Sequence, residues 1–236
     1  MKQQTLTAFE QYGKPTRRAK FLADMERILP WAELLEVIEP FYPKVSEIGG
    51  RPPIPLERML RIYFLQLWFN LSDPAVEEAM YDSTSMRGLV GIDLGVEAAP
   101  NETTVCKFRH LLEKNKLGKK LLTTVNEYLR RHGMKIANGT IVDATIIGAP
   151  SSTKNKDGKR DPEMHQTAKG KQWYFEMKAR AKSQVRAKVE HVFGVIKRVF
   201  GFQKVCYRGL DKSRHRLEVM AALTNLFMVR RTLLHA

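Results

Sequence analysis

Leu56-Glu57-Arg58-Met59-Leu60-Arg61-Ile62-Tyr63-Phe64-Leu65-Gln66-Leu67-Trp68-Phe69-Asn70 runs on from Pro55 with no internal glycine or proline. Leu60, Phe64, Leu67 and Trp68 fall at the three- and four-residue spacing of one helical face. Proline at the entrance fits, because its missing N–H is not needed in a first turn. A helix this apolar belongs at the centre of a helical core, so this stretch makes the first half of the chain α-helical.

Upstream, Gly49-Gly50-Arg51-Pro52-Pro53 reads as a turn or linker. Before it, Phe21, Met25, Ile28 and Leu29, then Leu34, Leu35 and Ile38, repeat with helical periodicity, and Pro30 starts a second segment. Residues 1–20 form a polar, basic arm ending in Lys14, Arg17, Arg18 and Lys20. Downstream, Ser72-Asp73-Pro74 predicts a cap and a short helix to about Met80. Gly88 to Pro100 reads as loop. Asn101-Glu102 caps a helix to about Glu113, with Lys107, Arg109, His110 and Lys114 along it. The next helix opens with Lys116, Lys119 and Lys120 and ends at Arg130-Arg131-His132-Gly133. Such a pair suits a helix-turn-helix, or equally a bundle with a solvated basic face.

The pattern changes near residue 134. Met134 to Ile147 is rich in β-branched residues and turns at Asn138-Gly139, which predicts one or two strands. Residues 150–172 read as a flexible loop and Gln172 to Lys178 as a strand. Helical periodicity returns from about Ala179 to Phe200. Gly201 to Gly209 is extended, and His215 to Leu234 is a helix apolar almost all round, hence buried.

Charge narrows the partners. The 236 residues carry a formal net charge of +15. Residues 1–137 hold 20 basic and 17 acidic side chains, and residues 138–236 hold 20 and 8. A polyanion is the expected partner, contacted mostly by the second half and released by salt. No Gly-rich phosphate loop and no aromatic-rich RNA signature are present, although RNA-binding use stays open. Apolar runs fall far short of the ~20 residues a membrane helix needs. Met1 to Gly13 lacks the apolar stretch of a secretory signal. Cys106 and Cys206 are too few for a disulfide framework or a cysteine zinc site, and suit a reducing cytoplasm.

Two features could carry chemistry. Asp143 stands alone among apolar residues in Ile141-Val142-Asp143-Ala144-Thr145. A carboxylate there is costly unless paired or metal-bound, or else it sits solvated at a strand end. In Arg186-x3-Glu190-x6-Lys197, helical geometry puts all three on one stripe beside Val185, Val189, Val192 and Ile196. Read alone, that is equally a surface ion-pair ladder. Together, a strand carboxylate and a helix carboxylate can converge on Mg²⁺ or Mn²⁺, which favour oxygen ligands and serve phosphodiester chemistry.

The chain resembles bacterial DDE transposases of the insertion sequence 5 family, InsH type. The likeness runs through Phe21 to Pro30, Arg51-Pro52-Pro53-Ile54-Pro55-Leu56-Glu57-Arg58-Met59-Leu60, Asn101 to Arg109, Ile141 to Ile147 with Ala149 to Asn155, and Arg186 to Lys197. The resemblance implies an enzyme that cuts and joins DNA at terminal inverted repeats with a divalent metal, Mg²⁺ or Mn²⁺. It implies Asp143 as the first catalytic Asp and Glu190 as the catalytic Glu, both metal ligands. It gives DNA contacts to Arg186 and Lys197. The neighbouring basic residues Lys188 and Arg198, and Lys107 and Arg109 on the earlier basic helix, are expected to contact DNA as well. It also implies a cytoplasmic, nucleoid-associated protein of a bacterium or archaeon, compatible with a homodimer and with no membrane.

The chain departs from that family in two places. Ser183 stands where the signature has tyrosine. Asp143 and Glu190 are only 47 positions apart, and the segment expected to hold the second Asp, in a Gly-Asp-Ala-Gly-Tyr-type motif, has no match. The expected fold is therefore mainly α with a small β component: an N-terminal helical domain plus a truncated RNase H-like α/β catalytic domain. The expected division is 1–20 basic arm, 21–133 helical transposase domain and 134–236 truncated DDE domain. The missing carboxylate predicts impaired catalysis, and the alternative is a non-catalytic, transposase-derived DNA-binding protein acting as a competitor or regulator.

Overall fold

The computed structural model describes residues 14–44, 52–134, 164–169, 172–177, 191–203 and 210–235. The described part is helix-rich. The chain divides into two compact units: Met1–Ile136 with Val195–Ala236, and Ala137–Gly194.

Local chemistry sets the helices of the first unit. Thr16 Oγ1 accepts from the Ala19 N–H at 3.1 Å and starts α1 (Arg17–Ile28). Pro30 precedes α2 (Trp31–Ile38), which ends in a 3-10 turn, Glu39–Phe41. Pro55 precedes α3 (Leu56–Phe69). Ser72 Oγ caps α4 (Asp73–Asp82) through the Ala75 N–H at 3.2 Å. Asn101 Oδ1 caps α6 (Glu102–Lys114) through the Thr104 N–H at 3.1 Å. Asn115 and Lys116 then turn the chain into α7 (Leu117–Arg131).

Gly88 to Pro100 is only partly the expected loop. A helix, α5 (Thr84–Val90), runs through Gly88. Ser83 caps its start, and Gly91, at φ 74°, ends it in the left-handed conformation that glycine adopts without strain.

Helix α3 is the core. Every residue from Ile62 to Trp68 is buried, and α2, α4, α5 and α6 pack around it. Each enclosed Leu, Phe or Trp contributes about 1.5–3 kcal/mol over exposure. Phe21 of α1 meets Trp68 edge-on at 5.6 Å. The final helix, α8 (Leu210–His235), is longer than the sequence reading and packs chiefly on α7, then on α1 and α6. It buries Val219, Met220, Ala222, Leu223 and Leu226 and leaves Leu217 and Met228 partly exposed. Within the first unit, α8 packs with the N-terminal helices α1 and α7.

In the second unit, β1 (Met164–Lys169) pairs antiparallel with β2 (Gln172–Met177), from Met164↔Met177 to Lys169↔Gln172. β2 falls where a strand is expected. β1 falls in the expected 150–172 loop and corrects it. Its Met-His-Gln-Thr-Ala-Lys pattern is too polar to announce a strand, and pairing rests on backbone hydrogen bonds that need no apolar alternation. The expected strands at 135–147 and the helix from 179 to 190 lie outside the described residues. The described end of that helix closes in a π-helical turn, Val195–Val199.

Candidate functional site

Asp143, Arg186, Lys188 and Glu190 lie outside the described residues. Lys197 and Arg198 lie on the π-helical turn and are exposed, while Val195 and Ile196 of the same turn are buried. The wide i→i+5 turn, with the Phe200 N–H on the Val195 carbonyl at 3.0 Å, sends the two cations to one side and the two apolar residues to the other.

That turn is anchored. Phe200 is fully buried against Phe227 at 5.9 Å. Asn70, the left-handed cap of α3 at φ 50°, donates from Nδ2 to the Gly201 carbonyl at 3.1 Å. Arg216 Nη2 donates to Asn70 Oδ1 at 2.7 Å, and its guanidinium lies 4.9 Å from the centre of the Phe202 ring. The segment bearing Lys197 and Arg198 is thus tied to the end of the core helix and to α8.

On α6 the two predicted DNA contacts part company. Lys107 is exposed. Arg109 is 6 % exposed and bonds Asp73 Oδ2 at 2.8 Å and Glu113 Oε1 at 3.2 Å. Gln66 Nε2 donates to the other oxygen of Asp73 at 2.8 Å. Burial pushes the Asp73 carboxyl up, but the hydrogen bonds from Arg109 and Gln66 outweigh it and leave the carboxyl below its ordinary range. Asp73 and Glu113 enclose the Arg109 guanidinium, and through the Asp73–Gln66 bond it joins α6 to α4 and α3.

Next to this cluster, His215 of α8 is buried, and its Nδ1 accepts from the Gly118 N–H at 3.1 Å. Burial, aided by the nearby Arg109 charge, lowers its pKa to about 4, so it is neutral at pH 7. Sequence reading missed His215 and Arg216, since their partners Gly118 and Asn70 are far away along the chain.

Among the described residues, no three His, Cys, Asp or Glu side chains gather where they could hold a metal. Nor is any described helix long and apolar enough to cross a membrane. Cys106 is a free thiol.

Two family models match the chain. Residues 10–111 match the transposase domain DUF772, and residues 144–226 match the transposase DDE domain. The second match begins one residue after Asp143 and includes Glu190. The two together support a DDE transposase and a resemblance to the DNA transposase family. No solved structure matches the chain.

Proposed function

We propose, from this ordered pair of transposase domains, that the chain serves an insertion sequence of the insertion sequence 5 family, InsH type, and binds the terminal inverted repeats of its element. The order and extent of the two matches are the observation that carries this reading. The excess of basic residues after position 137 supports DNA as the partner.

In this reading Asp143 and Glu190 belong to a shortened RNase H-like domain and hold Mg²⁺ or Mn²⁺ by their carboxylate oxygens, a donor set that suits a hard cation. Such an ion, when bound, activates a water or 3′-hydroxyl for phosphodiester chemistry. Arg186, Lys188, Lys197 and Arg198 bind the phosphates of the DNA end.

One observation favours a second reading. The 47 positions between Asp143 and Glu190 hold no match for the segment that carries a second Asp. With two acids in place of three, the chain binds ends without cutting them, and competes with intact enzyme or regulates it.

Binding tests the shared part. The protein should prefer duplexes bearing the element end over scrambled duplexes, with affinity that falls steeply with salt. Equal affinity for scrambled duplex and for RNA would overturn the reading.

A further inference from the structure

The first turns of α8 lie against the corner where α6 ends and α7 begins. The His215–Gly118 hydrogen bond closes this contact, and only glycine fits it. A Cβ at Gly118 would lie 2.8 Å from His215 Nδ1, 2.9 Å from Glu218 Oε2 and 2.9 Å from the His215 carbonyl oxygen. This packing brings α8 cations beside those of α6 and α7, nearly a hundred positions away in sequence.

Lys114 and Lys212 line one shallow cleft between α6 and α8, with His110, Glu113 and Asp211. Lys119 and Arg214 both act on Glu218, whose carboxyl burial raises and these two cations lower. Lys116 sits at the turn between α6 and α7 in the left-handed conformation, φ 51°. All five basic residues are exposed.

Arg58, Arg61, Arg109 and Arg131 each close on a carboxylate, but among the described residues none of these five forms an ion pair. Glu113 is committed to Arg109, which leaves Asp211 and the half-buried Glu218 as the opposing acids. The cleft lining contains no Phe, Tyr or Trp on which an unpaired base could stack. Long flexible cations without a stacking platform suit the backbone of a duplex.

We propose that Lys114, Lys116, Lys119, Lys212 and Arg214 form a composite phosphate-binding face for duplex DNA. The inference rests on the DNA-binding reading above. The face holds DNA by its backbone and reads no bases, so it adds affinity equally for element ends and for unrelated duplex.

The test compares duplex binding, followed by fluorescence anisotropy over a salt series, for the full chain and two variants. One replaces the five residues by Gln. The other replaces Arg17, Lys20, Arg27, Lys44 and Arg231, also exposed, and so matches the change in net charge. Circular dichroism verifies that both fold. The corner variant should lose affinity about a hundredfold near 0.1 M salt, for end and scrambled duplex alike, with a salt slope shallower by about 3–4. The control variant should lose much less. Unchanged affinity in the corner variant, an equal loss in the control, or competition by single-stranded RNA stronger than by duplex would each overturn the inference. Absence of any duplex binding by the unsubstituted chain would instead sink the DNA-binding reading itself.

Discussion

Asn70 and Arg216 are 146 positions apart in the chain, yet Arg216 Nη2 donates to Asn70 Oδ1 at 2.7 Å. The same Asn70 side chain holds the Gly201 carbonyl. One residue at the end of the core helix therefore fastens both the π-helical turn and α8 onto the N-terminal helices.

Asn70→Ala should cost about 2–4 kcal/mol, from the lost bond to a buried cation and the penalty of a left-handed alanine. Asn70→Gly keeps the backbone at ease and should be milder by about 1 kcal/mol. Urea denaturation reads both. An alanine variant as stable as the parent would contradict the clamp.

Arg109→Leu should destabilise the chain by about 3–5 kcal/mol, because it strands the Asp73 and Glu113 carboxylates in a half-buried site. Adding Asp73→Asn should recover part of that loss, since it removes one stranded charge. Simple additivity of the two substitutions would show that the pair is not coupled. Lys107→Gln, on the same helix but exposed, should leave stability nearly unchanged.

The lowered pKa of His215 gives stability a pH dependence of defined sign. The unfolded chain takes up a proton near the ordinary 6.5, whereas the folded chain takes it up only near 4. Between those values the unfolded state binds more protons, so stability falls as pH falls from 6.5 to 4, by on the order of 3 kcal/mol. Asp73, with its carboxyl held below the ordinary range, adds a loss in the same direction at lower pH. His215→Gln keeps an acceptor for the Gly118 N–H and removes the titration. Its stability should be flatter from pH 6.5 to 4.5 than that of the parent, and an identical profile would rule out the assignment.

These relationships show what a sequence discloses. The caps at Ser72 and Asn101, the proline entrances at Pro30 and Pro55 and the apolar run of α3 are local chemistry, and local chemistry can be read in a window of a few residues. The burial of Arg109 was also readable. It follows Phe108 directly and lies four residues after Val105, which places it toward the buried side of α6, whereas Lys107 is about 200° away from it. Of its two acidic partners, Glu113 lies one turn on along the same helix and was visible, whereas Asp73 was hidden because it serves a different helix. Gly118–His215 and Asn70–Arg216 lie 97 and 146 positions apart, and no periodicity announces such pairs. β1 was missed because its residues are polar and its partner supplies the reason for it to be extended. Asp143 and Glu190 lie outside the described residues, so their role rests on the resemblance and its 47-position spacing.

The central proposal is that the chain holds the DNA ends of an element while lacking an acid needed to cut them. The direct measurement is incubation of the purified, folded protein with duplex carrying the flanked element end and Mn²⁺, scored for both mobility shift and strand cleavage. The account predicts a shift with no cleavage above background. Cleavage that needs Mn²⁺ and disappears in Asp143→Ala would contradict it, and would mean that another carboxylate completes the site.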